Sequence, residues 1–517
     1  MNVSWLLPAT ALVPLAGALL LLLLPRVEDV LAARLGALIG GVTLLLAAWA
    51  SFVTWNRGFG RMQLEVRTDW VPALGLKAHL GMDGISAPLV LLTALLAVLV
   101  CVHLIRVQPE HGQVRLLVVC VLAVTGGAVA TFTALDLLLF FVAFETVLIP
   151  MWFVIGVWGD PHQQERSDRL GGEAARKDAA SRFVLYTAAG SALMLLGIIL
   201  VIARTGTSDL TELIARGGAG MPAATQTVAA VLIVIGLAVK APIWPLHTWL
   251  PPAHTIAPTA GSVLLAGVLL KLGTYGLVRV AVPVLPAGME NVAPWLGGFA
   301  VVGIIWAGLA CLVERDLKRL VAFSSVAHMG FVLLGVASMT TTGLQGALYA
   351  NIAHGVVSAL LFFVVGALKD RHHSADLSVL GPGLRDRLPR LGWLLTLGAV
   401  AGLGLPGLAV FWGELLAIAG AWQSGALGVL NRPFAVLAAL GTALAAAYWL
   451  RVLRVLWRGT PDPRWAEATF TDATPHESVT TMPLVLATVG LGLVPGPLLA
   501  ATAGVVRLLL PGGGVVP

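Results

Sequence analysis

Long runs of apolar residues decide what this chain can fold into. A helix needs roughly 20 apolar residues to cross the hydrocarbon core of a membrane, and the sequence contains fourteen segments of about that length. They lie near residues 3–24, 31–55, 84–105, 114–132, 136–157, 183–203, 224–250, 259–282, 294–313, 320–338, 343–368, 391–421, 433–457 and 481–503. We therefore expect an all-α polytopic membrane protein with about fourteen transmembrane helices. The stretch 56–83 is mixed in polarity, and we expect it at the membrane surface.

The composition of the 517-residue chain agrees with a membrane protein. Only 11% of its residues are charged and 58% are hydrophobic, whereas a soluble domain carries roughly 25% charged residues. A soluble enzyme, a nucleic-acid binder and a disordered chain are therefore excluded. The net charge of +6 does not indicate nucleic acid, because the charges form short clusters between apolar runs. The 3 cysteines are isolated, so we expect no disulfide framework, iron–sulfur ligand set or other metal site.

Basic residues in the loops predict the orientation. Of the 32 Lys and Arg residues, 21 fall in the odd-numbered loops, among them Arg166, Arg169, Lys318 and Arg464, whereas 9, among them Arg279, fall in the even-numbered loops and the C-terminus. Cytoplasmic loops are the ones enriched in these residues. We therefore expect the odd-numbered loops in the cytoplasm and both termini outside. The first apolar run has no basic residue before it and Arg26 after it, the reverse of a signal peptide, so we expect it to be a retained span.

Two predicted spans contain helix-breaking residues. Pro242 and Pro245 lie inside the seventh span, and Pro406 and Gly407 lie in the middle of the twelfth. At about 31 residues, the twelfth would be roughly 46 Å long as one helix, which is too long for a straight crossing. Proline removes a backbone donor and clashes with the preceding turn, so we expect both helices to be broken.

The positions of the two breaks suggest an internal repeat. If spans four to eight form one unit and spans nine to thirteen another, each break falls on the fourth member. Because each unit has an odd number of helices, the two units would lie in the membrane with opposite orientation. Broken helices in inverted repeats indicate a transport site near the midplane. The predicted organisation is a three-helix segment (1–112), two five-helix units (113–283 and 284–458) and a loop with a C-terminal helix (459–517).

Four ionisable residues lie deep inside apolar spans. They are Glu145, Lys240, Lys271 and Glu414, in the fifth, seventh, eighth and twelfth spans. Each such group costs roughly 2.5–3.5 kcal/mol on membrane-insertion scales, so its presence needs a reason. One interpretation is structural, with a Glu145–Lys240 pair holding two helices together. The other is a proton relay, in which neighbouring acids, lysines and histidines exchange protons across the plane of the membrane.

Four histidines are candidate members of the same relay. His328 and His354 lie within the tenth and eleventh spans, and His247 and His254 flank the Trp249–Pro252 turn after the seventh. A buried structural contact is an equally good interpretation for His328, as is helix capping for His247 and His254. Both interpretations remain open on the sequence alone.

The segment Lys240–His254 (KAPIWPLHTWLPPAH) closely resembles the antiporter-like membrane subunits of respiratory complex I. The segments Ala257–Ser262 (APTAGS), Leu270-Lys271 and Arg315–Gly330 (RDLKRLVAFSSVAHMG) are similar to the same family. The resemblance extends from about the third predicted span to the fourteenth. It implies fourteen helices, two inverted five-helix units and a proton half-channel in each.

The resemblance also implies roles for particular residues. The family's fifth-helix glutamate corresponds to Glu145, and its seventh- and eighth-helix lysines correspond to Lys240 and Lys271. Glutamate at the twelfth-helix position, here Glu414, is typical of the chain M type, whereas chains L and N have lysine. The sequence departs from many relatives at Pro252, where they have aspartate, and at Arg182, where they often have lysine.

The implied function is proton translocation in a bacterial NADH:quinone oxidoreductase of the cell membrane. Redox chemistry, with FMN, iron–sulfur clusters and quinone, would belong to partner subunits, and this chain would hold no cofactor. Chains L and N would be its neighbours. A subunit of a multi-subunit cation/proton antiporter and a membrane subunit of a related hydrogenase complex remain alternatives.

Overall fold

A computed structural model describes residues 3–24, 26–58, 60–71, 76–109, 112–160, 172–460 and 470–510. Within these residues the chain is almost entirely helical, with one short pair of β-strands. The elements are α1 (Leu6–Leu23), α2 (Asp29–Arg57), β1 (Gln63–Val71), β2 (Leu76–Met82), α3 (Ser86–Leu104), α4 (Val114–Thr133), α5 (Leu137–Thr146), α6 (Leu148–Trp158), α7 (Gly172–Thr205), α8 (Leu210–Arg216), α9 (Ala223–Lys240), α10 (Leu250–Ile256), α11 (Thr259–Val284), α12 (Pro286–Val313), α13 (Leu317–Ala337), α14 (Thr341–His372), α15 (Leu377–Leu380), α16 (Leu384–Arg387), α17 (Pro389–Gly402), α18 (Ala409–Gln423), α19 (Asn431–Trp457), α20 (Pro475–Leu493) and α21 (Gly496–Leu509).

The described helices agree with a polytopic membrane protein. In the described part of the chain, 12 stretches of helix are long and apolar enough to cross a membrane. The twelfth and fourteenth predicted spans correspond instead to interrupted pairs, α17 with α18 and α20 with α21, and the second pair is bent by 70°. The all-helical membrane fold is therefore confirmed, whereas the count of fourteen crossings, the inverted repeat and the orientation of the termini stay predictions. Of the loop residues used for that orientation, Arg166, Arg169 and Arg464 lie outside the described residues.

The predicted surface stretch 56–83 contains the one element that is not helical in the described residues. Strands β1 and β2 pair antiparallel, with Val66 opposite Leu80 and Arg67 opposite His79. The sequence signal for this hairpin was the alternation of apolar and polar residues on both sides of the stretch 72–75, which contains a proline and a glycine. Leu80 also forms a bridge with Ala134, which fixes the hairpin to the loop between α4 and α5.

The seventh predicted span is interrupted at the expected place. Helix α9 ends at Lys240 and helix α10 begins at Leu250, with Pro242 and Pro245 in the non-helical segment between them. The Trp249 indole donates a hydrogen bond to the Val239 carbonyl over 3.0 Å, so a carbonyl that the helix leaves without a partner is satisfied by a side chain. Lys240 is thus the last residue of a half-helix inside the protein.

The twelfth predicted span is interrupted in the same way. Helix α17 ends at Gly402, helix α18 begins at Ala409, and Pro406 lies between them. The unwound segment contains Gly404 and Gly407, whose φ angles of +79° and +92° lie in the left-handed region that favours glycine. These glycines explain why the chain unwinds here and not one turn earlier or later.

Helix α11 has two π-helical turns that the sequence analysis did not predict. They lie at Leu265–Leu269 and Leu277–Ala281, on either side of the regular turns that contain Lys271. A π-turn adds one residue to the helical turn and is often found at functional sites. The first π-turn directly precedes Lys271, so its extra residue shifts the face of α11 on which Lys271 lies relative to the start of the helix.

Candidate proton-transfer site

Lys271 and His354 are in direct contact inside the protein. The Lys271 Nζ atom lies 2.6 Å from Nδ1 of His354, which is on α14, and donates to the Ala266 carbonyl over 2.5 Å. Their exposed fractions are 0% and 3%. An ammonium group has only donors, so His354 accepts through Nδ1 and has its own proton on Nε2. A proton can therefore pass from the lysine to the imidazole without movement of either helix.

His328 and Glu414 form a second buried contact. Nδ1 of His328, on α13, lies 3.1 Å from Oε1 of Glu414, on α18. The hydroxyl of Thr442 on α19 donates to the other carboxylate oxygen over 3.3 Å. Glu414 is only 3% exposed, so its contacts are with protein groups.

The two contacts are joined through the histidines. The rings of His328 and His354 have their centroids 5.6 Å apart. A cavity of about 10 Å³ lies beside both rings and is also lined by Ser324, Ser325 and Ser358. This volume is on the order of what a single water molecule requires. Lys271, His354, His328 and Glu414 thus form one row across α11, α14, α13 and α18.

Glu145 and Lys240 lie near each other but are not joined directly. The Lys240 ammonium is 4.4 Å from the centre of the Phe144 ring and 3.5 Å from the Phe144 carbonyl. The Ser191 hydroxyl donates to the Glu145 carboxylate over 2.5 Å. Among the described residues, no ion pair within 4.0 Å links Glu145 to Lys240, so the tight pair that the structural interpretation requires is not formed.

The remaining two histidines do not belong to the row. The ring of His254 stacks on Phe362 with centroids 4.6 Å apart, and both of its nitrogens are buried without a hydrogen-bond partner in the described part of the structure. His254 lies close enough to Lys271 and Lys318 for both charges to act on its ring. His247 packs against the Trp306 edge at 4.7 Å. Neither histidine caps a helix through its ring in the described residues.

Lys318 is a buried cation that sequence reasoning placed in a loop. It is the second residue of α13, is 3% exposed, and donates to the carbonyls of Ala257 and Thr255 at the end of α10. Its position within the charged run Arg315–Arg319 made it resemble a solvated loop residue. Only the packing of α13 against α10 shows that it is buried.

Arg279 is a second buried cation that the sequence analysis counted among the loop residues. It lies within the second π-turn of α11 and pairs with Asp83 at 2.6 Å, and each side chain is 1% exposed. The same guanidinium donates to the Tyr275 hydroxyl over 3.2 Å. No local sequence signal predicts this pair, because its members are far apart in the chain. It fixes one end of α11 to the start of α3.

Both departures from related sequences are compatible with their positions in the structure. Arg182, on α7, pairs with Asp178 one turn earlier at 2.7 Å. Pro252 lies in the first turn of α10, where a missing backbone donor costs nothing.

Comparison with known proteins agrees with this architecture. The family model described as NADH:quinone oxidoreductase/Mrp antiporter, TM, matches residues 134–440. NAD(P)H-quinone oxidoreductase chain 4 1 of Synechococcus sp. (strain JA-3-3Ab) is 38% identical over 95% of this chain and 90% of its own length. NADH-quinone oxidoreductase subunit M of Rickettsia typhi is 36% identical over 84% of each chain.

Solved structures have the same fold. A chain of respiratory complex I from Thermus thermophilus superposes with a TM-score of 0.83 and 27% identity, over 97% of this chain and 98% of that one. A chain of the Mrp complex from Dietzia sp. has the same TM-score at 22% identity, covering 99% and 98% of the two chains, which shows a shared fold. The family match includes Glu145, Lys240, Lys271 and both histidines of the row. The chain belongs to the NADH:quinone oxidoreductase/Mrp antiporter family of membrane proteins.

Proposed function

We propose that this chain is the chain M type proton-translocating subunit of a bacterial NADH:quinone oxidoreductase. The observation that supports it most is the row Lys271–His354–His328–Glu414, which crosses the protein within its buried interior. Buried ionisable groups in a membrane protein are costly, and a continuous row of them is the arrangement that proton relays use. The related subunits named above support the assignment to the NADH-oxidising complex.

The four residues of the row can pass a proton from one to the next. Lys271 gives a proton to Nδ1 of His354, and the imidazolium then releases its other proton from Nε2 toward the small polar cavity. His328 takes up the proton there and delivers one to Glu414 through Nδ1. Each step exchanges a proton between groups already within hydrogen-bond distance or separated by one water. No electron transfer is needed within the chain.

Glu145 and Lys240 would control entry to the row. Lys240 ends a half-helix, and the Glu145 carboxylate acts on it electrostatically while it is held by Ser191. Neutralising Glu145 would remove the charge that favours the ammonium form of Lys240. Lys240 would then release its proton toward Lys271. Glu414, at the other end, would deliver protons to the outside.

The surroundings of Glu145 support a neighbouring subunit at this face. Glu145 is partly exposed, and on the same face Val142 and Ile149 are 44% and 63% exposed. A carboxylate at this depth is unfavourable against lipid, so we infer that another membrane subunit covers it. Chains L and N of the complex are the proposed neighbours. FMN, iron–sulfur clusters and quinone would be bound by other subunits, and the assembly would lie in the bacterial cell membrane.

A cation/proton antiporter subunit is the second candidate. The shared fold with a chain of the Mrp complex favours it. Glu414 counts against it, because antiporter relatives usually have lysine on the twelfth helix. A membrane subunit of a hydrogenase complex is a further alternative and would likewise lack NADH-dependent activity.

Purification from native membranes in mild detergent tests the proposal. We expect NADH oxidation, flavin and iron to co-purify with the chain. In proteoliposomes, NADH should then drive proton uptake, and the Lys240→Ala variant of the assembled complex should lose most of it. Sodium/proton exchange without NADH-dependent activity would instead support the antiporter, and hydrogen-dependent activity would support the hydrogenase complex.

A further inference from the structure

The break between α17 and α18 is held in place by the end of a helix from outside the two predicted five-helix units. Helix α20 ends at Leu493, and its last turn lies directly on the unwound segment 403–408. A methyl group on Gly492 would overlap the Gly407 carbonyl and the Cα atom of Leu408. Only glycine allows the two backbones to approach this closely.

Two side chains bind the same turn of α20. The Trp412 indole on α18 donates to the Gly492 carbonyl over 2.8 Å, and the Tyr349 hydroxyl on α14 donates to the Leu491 carbonyl. The last carbonyls of a helix have no partner within the helix, and here two of them are satisfied by side chains from α14 and α18, two of the four helices that hold the row. Trp412 lies two residues before Glu414 and His354 follows Tyr349 by five.

The unwound segment also contacts the Glu414 carboxylate. A Cβ atom on Gly404 would lie 2.9 Å from Oε2 of Glu414, so the carboxylate packs against the bare backbone of the break. The other oxygen faces His328 at 3.1 Å. A displacement of the break would therefore change the position of the carboxylate relative to its histidine partner.

We propose that the end of α20 around Gly492 is a positioning element for Glu414. It holds the unwound segment 403–408 and the start of α18 so that the carboxylate remains within hydrogen-bond distance of His328. The inference rests on the proposed function, because it assumes that Glu414 takes part in proton transfer. Gly492 acts through the break and not on the proton itself.

The chain offers a matched pair of variants for the test. Gly492→Ala and Gly490→Ala make the same chemical change two residues apart on α20, yet a Cβ on Gly490 has no heavy atom within 4 Å. Trp412→Phe removes the hydrogen bond to Gly492 while keeping an aromatic ring. Glu414→Gln serves as the reference for loss of the relay. Each variant is measured as the whole assembled complex in proteoliposomes, and protons moved per NADH are followed across a pH series.

We expect Gly492→Ala to lower the number of protons moved per NADH by about half or more, because a small displacement of the residues that support a site weakens its function. The pH profile should shift as well, and Gly490→Ala should match the wild type. Trp412→Phe should shift the profile in the same direction, and it decides the question if Gly492→Ala does not assemble. The inference would be overturned, and the proposed function would stand, if the Gly492 and Trp412 variants kept wild-type proton ratios and pH profiles per assembled complex while Glu414→Gln lost pumping. Wild-type pumping in Glu414→Gln would overturn the role of Glu414 itself.

Discussion

At the residue scale, the ionisable members of the proposed relay could be found in the sequence because their chemistry conflicts with their surroundings. Glu145, Lys240, Lys271 and Glu414 stand out as ionisable groups within apolar runs, and no packing information is needed to notice them. Which of them touch each other was not predictable, because the contacts join residues that are far apart in sequence. Lys271 contacts His354, and Glu145 contacts Ser191 and forms no direct ion pair with Lys240.

The Asp83–Arg279 pair gives a prediction for stability. Both side chains are 1% exposed, so Arg279→Met leaves an uncompensated carboxylate in the interior. Removing one member of a buried pair costs about 3–5 kcal/mol. We expect a large fall in the thermal stability of the purified complex, measured by the loss of assembled complex on heating. The double variant Arg279→Met with Asp83→Asn should recover part of the loss, and equal stability of Arg279→Met and wild type would contradict the buried pair.

Asp209 gives a prediction for how the stability of the β-hairpin depends on pH. Burial alone raises the pKa of its carboxyl, but hydrogen bonds from Thr211 and Glu212 and the charges of His79 and Arg67 lower it overall. A lowered pKa in the folded state stabilises the fold above the ordinary value of 3.8, and this contribution is lost as the pH falls through the folded pKa. The protection of strands β1 and β2 (63–71 and 76–82) against hydrogen exchange, measured relative to the intrinsic exchange rate at each pH, should therefore fall on acidification below about pH 4. The loss of protection should be smaller in Asp209→Asn, and identical pH dependence of protection in both proteins would refute the linkage.

At the scale of the elements, the broken helices were predictable and their supports were not. Proline lacks a backbone donor and clashes with the preceding turn, so Pro242, Pro245 and Pro406 indicate the breaks from the sequence alone. The groups that satisfy the exposed carbonyls, such as Trp249 and Trp412, come from other parts of the chain. The π-turns around Lys271 had no recognised sequence signal, because nothing in that stretch differs from an ordinary helix.

Trp249 tests whether the break after Lys240 needs its support. Trp249→Phe leaves the Val239 carbonyl buried without its donor, and an unsatisfied buried group costs about 1–3 kcal/mol. We expect lower thermal stability and a lower proton ratio per assembled complex. Trp295→Phe is the control, because Trp295 is 71% exposed. If both variants behave alike, the indole hydrogen bond does not hold the break.

At the scale of the whole molecule, apolar length and charge content predicted a helical membrane protein, and the structure confirms this. The β-hairpin was missed because two short strands are hidden within a polar connection, although their alternation was visible. Helices from both predicted units supply the row, since α11 belongs to the first and α13, α14 and α18 to the second. A proton that follows the proposed row would therefore pass from the first predicted unit to the second.

The partly exposed position of Glu145 gives a prediction for assembly. If a neighbouring subunit covers this face, a cysteine at Ile149, which is 63% exposed, should crosslink to another membrane subunit in native membranes. A cysteine at Leu450, which is 57% exposed on α19, provides the comparison at a different face. Crosslinking from Ile149→Cys to that subunit supports the interface. Reaction with lipid-soluble reagents only would place the face against lipid.

The central claim is that protons cross through Lys271 and the histidine–glutamate row. The most direct measurement is the number of protons moved per NADH in proteoliposomes containing the assembled complex with Lys271→Met. Lys177→Met is the control, because that side chain is 73% exposed and pairs with Glu173 at the start of α7. We predict that Lys271→Met lowers the proton ratio while NADH oxidation by detergent-solubilised complex persists, and that Lys177→Met changes neither. A wild-type ratio in assembled Lys271→Met complex would contradict the relay.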